Sequence, residues 1–172
     1  LVGGDINKVS LNGNQLAINS GTGWVTIRAT VAATADRGGA TVDATITFQK
    51  ASQTITFDPE SSTTGVVGVS PRTLVDFSSS SGLDISFSSS NDDVAWLNAN
   101  DLYFKSPGVA FITASQAGND NYEAATSVPR TYTVIDGDED GDGQTNSDEL
   151  IAGTDPLNAN SRFEIETIVA TP

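Results

Sequence analysis

Residues 108–115 read GVAFITAS, and residues 23–30 read GWVTIRAT. In both stretches small or polar residues alternate with apolar ones, and β-branched and aromatic side chains are frequent. A period of two is typical of a half-buried β-strand, because successive side chains of a strand point to opposite faces. Residues 1–49 show no helical period over a useful length. The two stretches therefore predict a fold built from strands.

These two stretches belong to a longer internal repeat. They lie 85 residues apart, and their flanking segments match at an offset of 86. LNGNQL at 11–16 corresponds to LNANDL at 97–102, and TITF at 45–48 corresponds to TYTV at 131–134. A slip of one residue fits a change in loop length. Residues 1–49 therefore correspond only to the second half of a unit that is complete in residues 50–136.

Residues 50–136 contain seven strand candidates at a spacing of roughly 8–12 residues, separated by turn residues. The candidates are Gln53–Phe57, Thr73–Phe77, Ile85–Ser88, Val94–Leu97, Leu102–Lys105, Val109–Ser115 and Thr126–Ile135. Short strands at this spacing predict an antiparallel β-sandwich.

Three segments carry a resemblance to a known family. They are QTITF at 53–57, SGLDISFSSSN at 81–91 and GVAFITASQAGNDNY at 108–122. They resemble the bacterial immunoglobulin-like (Ig-like) repeats that recur in tandem in adhesins and cell-surface proteins. The resemblance implies an Ig-like β-sandwich with a spacer or adhesive role and no catalytic residues. The first copy departs from it at 34–38, where TADRG stands in place of GNDNY.

Residues 138–149 read DEDGDGQTNSDE and fit the calcium-loop pattern D-x-[DN]-x-[DN]-G-x5-E without gaps. Calcium is a hard cation that takes about six to eight oxygen ligands. The pattern assigns carboxylates to Asp138, Asp140 and Asp142, a backbone carbonyl to Gln144, a direct or water-mediated contact to Asn146 and two oxygens to Glu149. Asp155, in the turn that follows, is expected to add another oxygen. We therefore predict a bound Ca2+. The alternative is a solvated acidic linker, because runs of Asp and Gly are also common in disordered connectors.

The segments around this loop distinguish it from a paired EF-hand sensor. TYTVI at 131–135 alternates like a strand, whereas residues 147–152 have the pattern of a short helix that is stopped by Gly153 and Pro156. The run 136–161 resembles the single calcium loops of thrombospondin type 3-like and dockerin-like repeats of bacterial surface proteins. A dockerin needs two such loops, and this sequence has one. The resemblance therefore implies structural calcium and not cohesin binding.

Together these patterns predict an all-β fold: Ig-like antiparallel β-sandwiches, a C-terminal EF-type calcium loop and one short helix. We divide the chain into the C-terminal half of an Ig-like repeat at 1–49, a complete sandwich at 50–136, a calcium-binding loop with a short helix at 137–160, and a strand at 161–172. That last strand either leads to a further domain or pairs back. We expect residue 1 not to be the translated start, because neither an initiator methionine nor a signal segment is present.

The composition excludes several classes of function. Asp and Glu number 22 against 8 Lys and Arg, which gives a net charge of −14 and argues against nucleic-acid binding. The absence of Cys and His removes thiol chemistry, zinc-thiolate sites and the commonest general base. No stretch reaches the ~20 apolar residues of a membrane span. We therefore predict a protein that is not an enzyme, does not insert into a membrane, and is located outside the bacterial cell or at its surface.

The favoured function is an extracellular spacer or adhesion segment that structural calcium makes rigid. Its partner would be a surface protein or a polysaccharide. We expect removal of calcium to loosen residues 136–160 and to leave the core of residues 50–135 folded.

Two alternatives to this function remain. The first is a carbohydrate-binding accessory module, which needs exposed aromatic residues. Trp24, Trp96, Tyr103 and Tyr122 are the candidates, although we predict that both tryptophans fill the core and that Tyr122 is exposed. The second is a donor-strand fibre, in which residues 163–170 pair with unpaired strands of the same chain or of a neighbour.

Overall fold

The computed structural model describes residues 1–58, 62–69 and 71–164. Over this part of the chain the fold is all-β with one short α-helix, which confirms the predicted fold class. The strands are β1 Gly3–Gly4, β2 Val9–Asn12, β3 Gln15–Ile18, β4 Gly23–Val31, β5 Ala40–Phe48, β6 Ile55–Phe57, β7 Thr64–Val66, β8 Arg72–Thr73, β9 Phe77–Ser79, β10 Ser86–Ser89, β11 Ala95–Asn98, β12 Asp101–Phe104, β13 Gly108–Ser115 and β14 Val128–Ile135. The α-helix, α1, is Asn146–Ala152, and a 3-10 helix covers Ile6–Lys8. The described residues contain no helix that is long and apolar enough to cross a membrane.

The chain forms two compact units. The first contains residues 1–54 and 117–125, and the second contains residues 55–116 and the described residues from 126 onward. The sequence places the loop at 117–125 inside the 50–136 sandwich, whereas the structure groups it with the first unit. The division of the chain into four segments remains a prediction.

Backbone pairing explains why the loop at 117–125 belongs to the first unit. The amide of Ala51 donates to the carbonyl of Asn121 at 2.8 Å, and the carbonyl of Ala51 accepts from the amide of Glu123 at 2.9 Å. The amide side chain of Gln53 also donates to the carbonyl of Glu123, at 2.6 Å. These bonds form an isolated parallel β-bridge between Ala51 and Tyr122, which the periodicity of the sequence does not indicate.

Two antiparallel hairpins, β2–β3 and β4–β5, form most of the first unit, and β1 pairs with the free edge of β4. Among the described residues of this unit, the buried apolar core consists of Val9, Val25 and Phe48. Every residue of β5 except Phe48 is exposed. Among the described residues, this core is smaller than the buried apolar cluster of the second unit.

The hairpins of both units share one register. The corresponding cross-strand pairs are Leu11–Leu16 and Leu97–Leu102 in one hairpin, and Gly23–Phe48 and Gly108–Val134 in the other. Corresponding residues of the two units are 85 or 86 positions apart, which are the offsets of the internal repeat in the sequence. Strands β2 to β5 therefore correspond to β11 to β14.

The second unit is built on two larger sheets that share one core. One sheet has the strand order β10-β13-β14-β7 and the other has the order β11-β12-β8, and a two-stranded sheet, β6-β9, completes the unit. Leu102 and Phe104 of β12 pack in the same buried cluster as Ile112 of β13 and Tyr132 of β14. Burying apolar side chains from two sheets against each other is the main source of stability in such a sandwich.

Strand β7, which was not among the strands predicted from the sequence, runs parallel to β14 and places Gly65 opposite Val134. A Cβ atom at Gly65 would lie 2.5 Å from the ring of Phe104, so this position has room only for glycine. Residues 67–69 follow the strand, and the amide of Val67 donates to the carbonyl of Ile135 at the end of β14. The calcium loop begins at that point.

Both tryptophans lie on outer faces, which corrects the prediction that they fill the core. Trp24 is 47% exposed and Trp96 is 39% exposed, whereas their neighbours Val25 and Ala95 are fully buried. Alternation requires adjacent side chains to face opposite sides but does not say which side is the core. In β4 the inward set is Val25 and Ile27, which leaves Trp24 outside.

Two strand predictions also need correction. The strand predicted at 73–77 is divided into β8 and β9, and between them Asp76 has a φ of 56°, which is incompatible with extended backbone. At the C-terminal end, residues 161–164 form no strand. Residues 165–172, which hold the rest of the strand predicted at 161–172 and most of the proposed donor segment at 163–170, lie outside the described residues.

Candidate metal centre

The calcium loop starts directly at the end of strand β14, and the start of α1 is hydrogen-bonded back to that point. The carbonyl of Gly137 accepts from the amide of Asn146 at 2.7 Å. The carboxylate of Asp136 accepts from the amide of Ser147 at 3.0 Å. These two bonds close the loop at its base, so a rigid strand fixes its position.

Three carboxylates converge inside the loop. One oxygen from each of Asp138, Asp140 and Asp142 lies within 4.8 Å of the others. The chain turns at Gly141, between Asp140 and Asp142, and at Gly143, directly after Asp142, where φ is 74° and 93°. Positive φ costs little at glycine but strains other residues, which is why the pattern requires glycine at position 143.

Backbone amides of the loop donate to the same carboxylates. Asp138 accepts from the amides of Gly141 at 2.8 Å and Gly143 at 3.1 Å. One oxygen of Asp140 accepts from the amide of Asp142 at 3.2 Å. These bonds hold the carboxylates at fixed positions but use only part of their capacity to accept, since each carboxylate has about four lone-pair sites.

Glu149 brings a fourth carboxylate to the loop from the first turn of α1. Its side chain is fully buried, and its Oε2 atom has no hydrogen-bond partner among the described residues. Burial raises the pKa of Glu149, and the charges of Asp140, Asp142 and Asp138 raise it further. A buried Oδ2 atom of Asp140 also lacks a partner within the described part of the chain.

The caps of α1 determine where Glu149 sits. Thr145 is the N-cap, and its side chain accepts from the amide of Asp148 at 3.3 Å. Gly153 ends the helix in the left-handed conformation, with a φ of 79°. Thr154 then donates from its amide to the carbonyl of Glu149 at 2.9 Å. The helix is therefore held to two turns, with Glu149 on the side that faces the loop.

Two other predicted ligands lie outside the group of three aspartates. The side-chain oxygen of Gln144 accepts from the amide of Phe163 at 3.3 Å, and the carbonyl ligand predicted for this residue remains a prediction. Asp155 is exposed and accepts from the amide of Leu157 at 3.1 Å, which is a local turn bond. Its role as a further ligand also remains a prediction.

Asn146 is fully buried, and both polar atoms of its side chain have partners. Its Nδ2 atom donates to the carbonyl of Val67 at 2.7 Å, and its Oδ1 atom accepts from the amide of Glu139 at 3.1 Å. The sequence pattern identifies Asn146 only as an ion ligand. It missed the link to Val67 because a bond across 79 residues leaves no local pattern.

The donor set consists of carboxylate oxygens, and hard cations with oxygen ligands match it. Buried carboxylate oxygens without partners are costly unless a cation lies beside them. Residues 138–159 match the family model described as "Bacterial TSP3 repeat". TSP3 repeats bind calcium, so the match confirms the predicted ion. They are structural modules typical of extracellular proteins.

The match to the TSP3 repeat covers a short part of the chain and does not extend to the two β-rich units. Comparison with curated proteins and with solved structures gives no match. The resemblance of residues 50–136 to Ig-like repeats therefore stays a prediction.

Proposed function

We propose that this chain is a non-enzymatic extracellular segment of a secreted bacterial protein, acting as a spacer or in adhesion. Its strand-rich units supply length, and calcium fixes the direction of the chain beyond strand β14. The observation that carries the proposal is the fully buried carboxylate of Glu149, which has an unpaired oxygen and lies close enough to three aspartates of the TSP3 segment for their charges to raise its pKa.

A structural role for the ion fits the loop better than a sensing or catalytic role. The loop follows a strand and not a helix, so the hinged helix pair of a sensor is missing from this part of the chain. Loop amides already hold Asp138, Asp140 and Asp142 in place, which suits a fixed cage. The sequence also has no His or Cys to activate a nucleophile.

Calcium titration of two matched variants tests the proposal. Isothermal titration calorimetry of the full chain should give one calcium site and weaker binding of magnesium, which prefers a tight octahedral shell. Glu149→Gln should lose most of the affinity because it removes a buried carboxylate. Glu139→Gln removes an exposed carboxylate from the same loop and should bind calcium nearly as well as the wild type. Equal loss in both variants, or a wild type that binds no calcium, would refute the proposal.

A second candidate function, saccharide binding, is favoured by the outward position of Trp96. Its ring stacks on that of Tyr103, with ring centroids 4.4 Å apart and an angle of 16° between the planes. Beside it lies a cavity of about 380 Å3 that is lined by Asp92, Trp96, Leu97 and Lys105. An aromatic face next to charged hydrogen-bonding groups suits a pyranose ring, which has an apolar face and hydroxyl edges.

Affinity electrophoresis in gels that contain neutral soluble β-glucan or galactomannan tests this candidate. Wild-type chain should be retarded, and Trp96→Ala should migrate as in a gel without polysaccharide. Trp24→Ala, which removes an equally outward tryptophan from the first unit, is the control and should still be retarded. The candidate is rejected if the wild type migrates freely or if both variants behave alike.

A further inference from the structure

The side chain of Asn146 connects the calcium loop to the sandwich of the second unit. We infer that Asn146 is a positioning residue, through which calcium binding and the order of the turn after β7 depend on each other. This inference rests on the proposed calcium function and deepens it. Calcium would then stabilise the sandwich as well as the loop.

Asn146 is suited to this role because its amide is fully used and fully buried. It donates to the carbonyl of Val67 on the sandwich side and accepts from the amide of Glu139 on the loop side, at 2.7 and 3.1 Å. Rotating the amide by half a turn would bring oxygen against the Val67 carbonyl and nitrogen against the Glu139 amide. Both contacts would then be repulsive, so the two bonds allow one orientation.

The loop-side partner of Asn146, the amide of Glu139, lies between two of the carboxylates that converge in the loop. Glu139 stands between Asp138 and Asp140, so the bond to its amide fixes the backbone that carries two of the converging carboxylates. An outer hydrogen bond of this kind orients the groups that hold a metal, and its loss typically costs ~10–100-fold in metal affinity.

The sandwich-side partner lies in a turn on which the helix also packs. Gly68, next to Val67, has a φ of 73°, and a Cβ atom there would lie 3.3 Å from the Leu150 side chain and 3.5 Å from the Pro156 ring. The amide of Val67 donates to the carbonyl of Ile135 at 3.1 Å, at the end of β14. The turn is therefore held both by the sheet and by the calcium segment.

Asn146→Asp separates positioning from direct ligation. The substitution keeps the size of the side chain, adds a carboxylate oxygen and removes the donor to Val67. For a ligand, the added charge should tighten calcium binding. For a positioning residue, it should weaken binding, because a buried carboxylate would face the carbonyl of Val67. Asn160→Asp makes the same chemical change at an exposed position of the chain after α1 and serves as the matched control.

The experiment uses the full chain and combines calcium titration with amide hydrogen exchange followed by NMR. In the wild type, calcium should slow exchange at the amides of Val67 and Gly68. In Asn146→Asp the calcium dissociation constant should rise ~10–100-fold, and saturating calcium should no longer slow exchange at these two amides. Asn160→Asp should stay within about twofold of the wild type. If Asn146→Asp does not fold, Asn146→Ala, which buries no charge, gives the same readout and the same expected loss.

Unchanged or tighter calcium binding in Asn146→Asp, or calcium-dependent protection of Val67 and Gly68 that survives in Asn146→Ala, overturns the inference. Failure of the proposed function gives a different result. The wild type itself would then bind no calcium, and the exchange rates at Val67 and Gly68 would not respond to the ion.

Discussion

Removal of calcium should lower the melting temperature of the second unit without unfolding it at 25 °C. In the calcium-free chain, Glu149 is a buried carboxylate with an unpaired oxygen beside three aspartates. Calcium supplies the missing partner in the folded state only, because the loop geometry is absent from the unfolded chain. The ion therefore stabilises folding by mass action.

The size of this stabilisation follows from the calcium affinity. Extracellular calcium modules have dissociation constants of roughly 10⁻⁴–10⁻³ M, so ~10 mM calcium corresponds to about 10–100 times the dissociation constant. Linkage then contributes ~1.4–2.7 kcal/mol. A unit of roughly 100 residues has an unfolding entropy of ~0.2 kcal/mol/K near 60 °C, so we expect a shift of ~7–13 °C.

A single-tryptophan variant makes the melting of the second unit visible. The chain has two tryptophans, and Trp24→Phe leaves Trp96, which lies in the second unit, as the only one. Fluorescence melts with ~10 mM calcium and with excess EDTA should differ by the predicted shift, and magnesium should give a smaller one. Adding Glu149→Gln should abolish the response. The prediction is wrong if the melting temperatures with calcium and with EDTA coincide, or if calcium shifts the melting temperature of the Glu149→Gln variant as much as that of its parent.

Three further predictions concern pH, the core and the helix cap. The pKa of Glu149 is raised, so the stability of the calcium-free chain should fall as the pH rises through that pKa. Calcium binding needs the ionised carboxylate, so calorimetry should show the calcium dissociation constant rising as the pH falls from neutral toward 4.5, the ordinary pKa of a glutamate. Ile112→Ala, at a fully buried site, should cost ~2–5 kcal/mol in chemical denaturation, whereas Val109→Ala, 51% exposed on the same strand, should cost under ~1 kcal/mol. Gly153→Ala forces φ of 79° on a residue with Cβ and should cost ~1 kcal/mol by the same measurement.

Sequence periodicity predicted the fold class and most of the strands, because alternation and turn residues are local signals. It also located the correspondence between β2–β5 and β11–β14, which the cross-strand register bears out. It missed β7, a strand of three residues centred on Gly65, since its assignment depends on parallel pairing with β14. It also misplaced both tryptophans, because the packing of the whole sheet decides which of the two alternating sets of side chains faces the core, and one large residue does not.

The calcium loop could be predicted because each ligand position is tied to a short spacing in the sequence. Asp138, Asp140 and Asp142 converge as the pattern requires, and the pattern also identifies Glu149. Local spacing carries no information about burial, so the full enclosure of Glu149 became visible only in three dimensions. The same holds for Asn146, whose link to the sandwich depends on how the loop packs.

The sandwich of the second unit holds the calcium loop in place through hydrogen bonds at β14 and at the turn after β7. Eight acidic residues lie between positions 136 and 155 of a chain whose net charge is −14, so without a cation this segment repels itself. The ends of the loop cannot spread apart freely, because Asp136 and Gly137 at the end of β14 are bonded to the first residues of α1. We therefore expect the repulsion to weaken the contact between the loop and the turn after β7, where Asn146 donates to the carbonyl of Val67. Calcium removes the repulsion there, which is why we expect ion binding to be felt in the sheet and not only in the loop.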